Sequence, residues 1–300
     1  MGKLFHQRIF YLGLFLIVLT VVLSVLVEPP SKPTTQGSNV EELSSQPKPS
    51  VRTDGGFQPL ANACQNGFMV VALFLLIFGS LSVASETTLG TIRMILTRPF
   101  RRSELMLAKI IALCICAILM ALLVDILSVA LVQIRYGFGN VVDPRFQTEI
   151  FCQKSEMFRF AGHSFILVLL PLMTTGIFGL FISTLIENSG LAVALTLIII
   201  PINYFVLALF PDIATYSFTH YTNYFTGALM DVAGVFTGAD RPFRIIDHWL
   251  GLPVDESLLT SNLFPGWQWE VIKSIIIPIS YTILLSILSI IIFKRKDVVV

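Results

Sequence analysis

Few residues of this 300-residue chain have the types and spacing that catalysis or metal binding requires. The sequence contains no phosphate-binding loop (G-x-x-x-x-G-K-[ST]), no zinc helix (H-E-x-x-H), no C-x-x-C pair and no G-x-S-x-G nucleophile turn. Its histidines are scattered along the chain at His6, His163, His220 and His248. We therefore expect no catalytic residue, no metal site and no cofactor in this chain, and the sequence argues against an enzyme.

Asp125 is an ionisable residue deep inside a long apolar stretch, residues 110–134. A carboxylate in hydrocarbon is costly unless it is neutralised, hydrated or paired. Two interpretations follow. Asp125 belongs to a translocation path, or it is a protonated, hydrogen-bonded acid that specifies helix packing.

The four cysteines differ in position. Cys114 and Cys116 lie two residues apart in one apolar stretch, point to different helix faces and are typical of packing residues. Cys64 and Cys152 fall in two separate polar connectors. In an oxidising compartment these two can form a disulfide, although spacing alone does not show whether their geometry allows it.

The composition is that of a membrane protein, because 55% of the residues are hydrophobic and only 13% are charged. A membrane span needs about 20 apolar residues. Six segments qualify, at about 9–27, 67–84, 110–134, 164–186, 191–210 and 271–293. We expect the first to be a retained anchor, since no signal-peptidase pattern follows it. The sequence thus predicts an all-α polytopic protein with a single transmembrane domain over residues 1–300.

Orientation follows from the basic residues. They are denser in the termini and in the connectors 85–109 and 187–190 than in the longer connectors 28–66, 135–163 and 211–270. Short connectors rich in Lys and Arg stay in the cytoplasm. Both termini are therefore predicted to be cytoplasmic, and the three long connectors face outward.

The last outer connector is rich in aromatic residues, which settle at the headgroup level of a bilayer. We expect interfacial or re-entrant helices between spans 5 and 6. RPFRIIDHWL places Phe243, Ile246 and Trp249 at near-helical spacing, with Arg244 and Asp247 opposite. An ordinary folded loop is the alternative. The connector's Trp and Tyr residues are Trp249, Trp267, Trp269, Tyr216, Tyr221 and Tyr224.

The fourth span carries small residues at a regular spacing, which lets two helices approach closely. They are Thr175, Gly176, Gly179 and Ser183. The partner helix belongs either to the same chain or to a second subunit.

The stretch SETTLGTIRMILTRPFRRSELMLAK, residues 85–109, predicts a short amphipathic helix between spans 2 and 3. Thr87 or Thr88 can cap it, and Pro99 must end it because Arg98 is disfavoured in the helical region. Apolar residues recur on one face of this helix.

The same stretch resembles the permease subunits of ATP-binding-cassette type 2 transporters. Those proteins carry an acidic residue, a Gly-Thr pair, a proline followed by an arginine, and a lysine between their second and third spans. In that family the segment is the coupling helix, which docks on a separate ATPase subunit. The residues to which the resemblance assigns coupling are Glu86, Gly90, Thr91, Ile92, Ile95, Leu96, Arg98, Pro99, Arg102 and Lys109.

The resemblance implies a multi-pass transport subunit of a prokaryotic cytoplasmic membrane that works as an exporter. Its partners would be an ATPase that binds ATP and Mg, a second permease, identical or related, and the lipid bilayer. A net charge of +1 argues against nucleic acid. The first two outer connectors are longer than in simple family members. An ATP-independent secondary transporter or channel is the alternative, and an intramembrane enzyme is a further one.

Overall fold

The computed structural model describes residues 2–27, 55–88, 102–142, 150–210, 214–235, 238–252, 254 and 267–295. The α-helices of these residues are α1 (Gly2–Val27), α2 (Phe57–Thr88), α3 (Arg102–Arg135), α4 (Lys154–Leu185), α5 (Ser189–Leu209), α6 (Tyr224–Ala233), α7 (Arg241–Trp249) and α8 (Trp267–Arg295). A short 3₁₀ helix, His220–Thr222, precedes α6. The chain is thus mostly helical, as its sequence predicts.

Four of these helices are long and apolar enough to cross a membrane, which makes the chain a membrane protein. They are Phe57–Thr88, Arg102–Arg135, Lys154–Leu185 and Gln268–Arg295. Shorter apolar helical stretches, Tyr11–Val27 and Ser189–Asn203, lie within α1 and α5. These six stretches overlap the six apolar segments of the sequence, but only four of them have the length of a span, so the number six stays a prediction.

Two predicted connectors are more ordered than expected. Residues 57–66, assigned to an outer loop, form the start of α2, because Pro59 is tolerated in a first helical turn and Phe57 is buried against Phe138 and Phe158. Residues 154–163, also assigned to a loop, form the start of α4. There the Glu156 carboxylate accepts the Gln153 N–H at 3.2 Å, which satisfies a helix-end donor.

A two-stranded antiparallel ribbon, which the sequence did not predict, connects α3 to α4. Its strands are β1 (Val141–Val142) and β2 (Ile150–Cys152), and Val141 pairs with Cys152. Both of these paired side chains are buried. The ribbon therefore packs onto the helices through one face.

Helices α2 and α4 form the centre of the bundle. In each of them 56% of the most apolar stretch is buried, against 33% in α3 and 17% in α8. Their backbones approach closely at two glycines. A Cβ added at Gly79 would lie 2.3 Å from the Gly176 carbonyl oxygen, and a Cβ added at Gly179 would lie 2.4 Å from the Leu76 carbonyl oxygen. The two helices therefore pack as one unit, to which the others attach.

Candidate functional site

The end of α2 and the start of α3 are joined by an ion pair. Lys109 Nζ lies 2.7 Å from Glu86 Oε2, and the same ammonium group donates a hydrogen bond to the Ser82 carbonyl oxygen. The side chains of Lys109 and Glu86 are only 14% and 28% exposed. This partly buried ion pair, together with the hydrogen bond from Lys109 to Ser82, fixes the two helix ends beside each other.

The threonines at the end of α2 bind the connector between α4 and α5. The Thr88 hydroxyl donates to the Glu187 carbonyl oxygen at 2.9 Å and accepts the Ser189 N–H at 3.2 Å. The Thr87 hydroxyl donates to the same carbonyl at 3.2 Å. We call this group of Glu86, Thr87, Thr88, Lys109 and residues 187–189 the coupling end.

The coupling end contains two of the residues that the sequence assigned to ATPase coupling, Glu86 and Lys109, and it brings them into contact. Arg102 is the first residue of α3. Thr87 and Thr88 lie in the last turn of α2, where each hydroxyl shares its single proton between the Glu187 and Ala84 carbonyl oxygens. The other coupling residues lie outside the described ranges, and the amphipathic helix therefore stays a prediction. They are Gly90, Thr91, Ile92, Ile95, Leu96, Arg98 and Pro99.

Asp125 lies between α3 and α2, where its Oδ1 is 3.9 Å from the donating Cys64 Sγ. The carboxyl group is partly buried. Within the described ranges no Lys, Arg or His forms an ion pair with it. A neutral thiol is thus its observed partner, which is compatible with both interpretations of this residue.

The small residues of α4 pack against α2 of the same chain. Gly179 faces the Leu76 carbonyl, and Gly176 lies beside Gly79. Four residues after Gly179, the buried Ser183 hydroxyl accepts the N–H groups of Val83 and Ala84 at 2.9 and 2.8 Å. The Thr175 hydroxyl donates to the Pro171 carbonyl within α4. We call this contact the α2–α4 seam, and it leaves no room for a helix of a second subunit at Gly179.

The disulfide considered for Cys64 and Cys152 is not formed, since both cysteines are free and buried. Cys64 lies inside α2 rather than in a loop and contacts Asp125 of α3. Cys152 lies in β2. Burial raises the pKa of its thiol to about 12, and the Glu156 and Asp240 carboxylates add to this effect while Arg244 opposes it.

Helix α7 forms as the sequence predicted, but its faces are assigned differently. Asp247, expected on the solvent face, is the most deeply buried carboxylate described, with 1% of its side chain exposed. Its Oδ2 lies 2.9 Å from Arg159 Nη2, and its Oδ1 lies 3.6 Å from His163 Nδ1. Arg159 and His163 come from the start of α4. Their spacing of four residues was a usable signal, but no sequence pattern connects them to Asp247.

The aromatic residues near α6 to α8 divide between core and surface. Tyr216, Trp249 and Trp269 are 61%, 47% and 66% exposed. Tyr221 is buried and donates to the Thr215 carbonyl, and burial with nearby Glu270 raises the pKa of its hydroxyl to about 12. The exposed three fit the predicted interfacial role, whereas Tyr221 is a core residue.

Comparison with known proteins places most of this bundle in one family. Residues 47–234 match the model of a family described as "Protein of unknown function (DUF2705)". The match covers more than half of the chain and includes the coupling end and the α2–α4 seam. Neither a curated protein nor a solved structure matches the chain.

Proposed function

We propose that this chain, which belongs to the DUF2705 family of proteins of unknown function, is the membrane-spanning subunit of an ATP-driven transporter of the ATP-binding-cassette type 2 class. It has six spans, lies in a prokaryotic cytoplasmic membrane with both termini in the cytoplasm, and works as an exporter. It pairs with a second permease subunit, identical or related. ATP and Mg are bound by a separate ATPase, and this chain catalyses no covalent chemistry.

The observation that carries the proposal is the ion pair between Glu86 and Lys109. Residues 89–101, the predicted coupling segment, run between the helices that these two residues hold together. A force applied to this segment would act on α2 and α3 together, because a partly buried ion pair resists separation.

The force would then pass into α4. Thr88 is hydrogen-bonded to Glu187 and Ser189 just beyond α4, and the α2–α4 seam continues the contact along the helices. Close-packed helices move as rigid bodies rather than deforming continuously. The coupling end therefore supports transmission from an ATPase into the centre of the bundle.

Asp125 is assigned to the translocation path. It is an ionisable group at membrane depth with a neutral thiol as its described partner. Intramembrane carboxylates of this kind are costly to keep and mark paths for polar or charged groups.

The proposal is tested by replacing residues 90–96 with a Gly-Ser linker of equal length. The tagged chain is purified from its native membranes in mild detergent, and the eluate is assayed for a chain with a P-loop and for ATP hydrolysis. The parent chain should retain both, and the linker variant should lose both while staying in the membrane fraction. A matched control replaces residues 296–300, on the same proposed side, and should retain both.

Unchanged ATPase association in the linker variant would contradict the coupling role. An ATP-independent transporter or channel is distinguished by reconstitution: transport by the isolated chain, without any P-loop partner, would refute the proposed function as a whole.

A further inference from the structure

Three polar side chains meet where α7 packs against the start of α4: Asp247 and His163 are shielded from solvent, and Arg159 is 35% exposed. Arg159 and His163 are four residues apart on α4 and so share one helix face. Asp247 of α7 lies opposite them and is almost completely buried. Its carboxylate is divided between the two basic residues, with Oδ2 at 2.9 Å from Arg159 and Oδ1 at 3.6 Å from His163.

The contact between Asp247 and His163 is incomplete. Asp247 Oδ1 and His163 Nδ1 are both shielded from solvent, and neither has a hydrogen-bond partner within the described part of the chain. Their separation of 3.6 Å exceeds the length of a normal hydrogen bond. A proton on Nδ1 would turn this contact into a charge-assisted hydrogen bond, whereas a bare Nδ1 directs its lone pair at a carboxylate oxygen.

We propose that Arg159, His163 and Asp247 form a proton-operated latch between α4 and α7. With His163 protonated, two cations hold Asp247 and α7 is locked onto α4. With His163 neutral, its Nδ1–H tautomer can still donate to Asp247, but Arg159 is the one remaining cation of the three, so the contact is weaker and α7 detaches more readily. This latch does not depend on the proposed transport function, because it concerns the contact of two helices within one chain.

Asp247 is the group whose interaction with His163 changes when His163 gains or loses a proton. The charges that act on His163 are Asp247 from α7 and Arg159 from α4 itself. Of the acidic and basic side chains on or next to the neighbouring helices, Asp240 is paired with Arg244 and Glu270 with Lys273, whereas Asp231 and His248 lie at the surface. The charge of a histidine ordinarily changes between about pH 5 and 8. Burial lowers the pKa of His163, which lies in the predicted outer connector 135–163; Asp247 opposes this effect and Arg159 adds to it. The latch therefore closes towards the acidic end of that range.

The test is hydrogen exchange of the α7 amides in the full chain, reconstituted in lipid nanodiscs at about pH 5.5 and about pH 8. Rates are corrected for the intrinsic pH dependence of exchange. We expect about tenfold greater protection of α7 at the lower pH, the effect of one charge-assisted hydrogen bond. His163→Gln should abolish this difference, and Asp247→Asn should leave α7 weakly protected at both pH values.

His248 supplies the matched control. It lies on α7 next to Asp247 and is exposed, and a positive charge on it near the helix C-terminus could itself stabilise α7. His248→Gln should keep the pH difference. The proposal is overturned if the parent chain shows equal protection at both pH values, or if His248→Gln removes the difference while His163→Gln retains it.

A second variant covers the case in which His163→Gln does not fold. His163→Arg carries a permanent charge, so it should give strong protection of α7 at both pH values. If the α7 amides of the His163→Arg chain still lose protection between about pH 5.5 and about pH 8, the latch is overturned as well.

Discussion

The α2–α4 seam makes a sharp prediction for Gly179→Ala. The added Cβ would lie 2.4 Å from the Leu76 carbonyl oxygen and 3.1 Å from the Ser80 nitrogen. An ordinary carbon–oxygen contact needs about 3.3 Å, so the two helices must separate locally by about 1 Å. Both obstructing atoms belong to the backbone, and neither can rotate away as a side chain can.

Such a separation also breaks hydrogen bonds one turn further along α4. The Ser183 hydroxyl accepts from Val83 and Ala84 at 2.9 and 2.8 Å, and a shift of about 1 Å takes both beyond hydrogen-bonding range. Overpacking costs about 1–3 kcal/mol, and each lost hydrogen bond adds about 1 kcal/mol. We expect a total loss of about 3–5 kcal/mol of unfolding free energy, or roughly 6–10 °C in Tm at about 2 °C per kcal/mol.

Gly162→Ala on the same helix is the matched control, since a Cβ at Gly162 meets no described atom within 4 Å. Alanine is the better helix former by about 0.5–1 kcal/mol, so this variant should be neutral or slightly stabilised. The assay is thermal unfolding of the purified chain in detergent, followed by far-ultraviolet circular dichroism. Equal Tm values for Gly179→Ala and Gly162→Ala would show that the backbones do not approach as closely as described, and would refute the reasoning.

Two further predictions concern charge. Lys109→Met removes the Lys109–Glu86 ion pair and the hydrogen bond from Lys109 to Ser82, and should lower the unfolding free energy by about 2–3 kcal/mol. Lys109→Arg should recover most of this loss in the same thermal assay, and no loss for Lys109→Met would contradict the ion pair. The Cys152 thiol has its pKa raised from 9.0 to about 12 by burial, so the folded chain holds its proton where the unfolded chain releases it. Its contribution to stability is fully present below about pH 9 and declines as pH rises towards about 12. Cys152→Ala should flatten this alkaline decline in a denaturant titration, and an unchanged decline would exclude Cys152 as its source.

The helical content and the apolar stretches were predictable from sequence because they depend on local runs of residues. A long apolar segment must satisfy its backbone hydrogen bonds internally in lipid, which leaves the helix as the solution. The α7 helix was predictable for a similar reason, from the periodicity of residues 241–250. The boundaries were less predictable. The start of α2 depends on Phe57 meeting Phe138 and Phe158, which are far away in sequence.

The candidate site divides in the same way. The resemblance of residues 85–109 to a transporter family predicted a coupling role for Glu86 and Lys109 among other residues, but only the fold shows that these two touch. The small residues of α4 predicted a close helix contact without saying whose helix it was. Asp247 was assigned to the solvent face of α7, and this was wrong. A hydrophobic pattern contains no information about ion-pair partners on another helix, here Arg159 and His163 of α4.

By itself the sequence determined what each segment can be: apolar runs that form helices, a basic connector broken by Pro99, and an acid at membrane depth. Those properties arise from interactions between residues within a few positions of each other. Tertiary structure alone decided which segments meet, placing Gly179 against Leu76, Lys109 against Glu86 and Asp247 between Arg159 and His163. These contacts join residues far apart in the chain, and their partners are selected by the packing of whole helices, which no local pattern encodes.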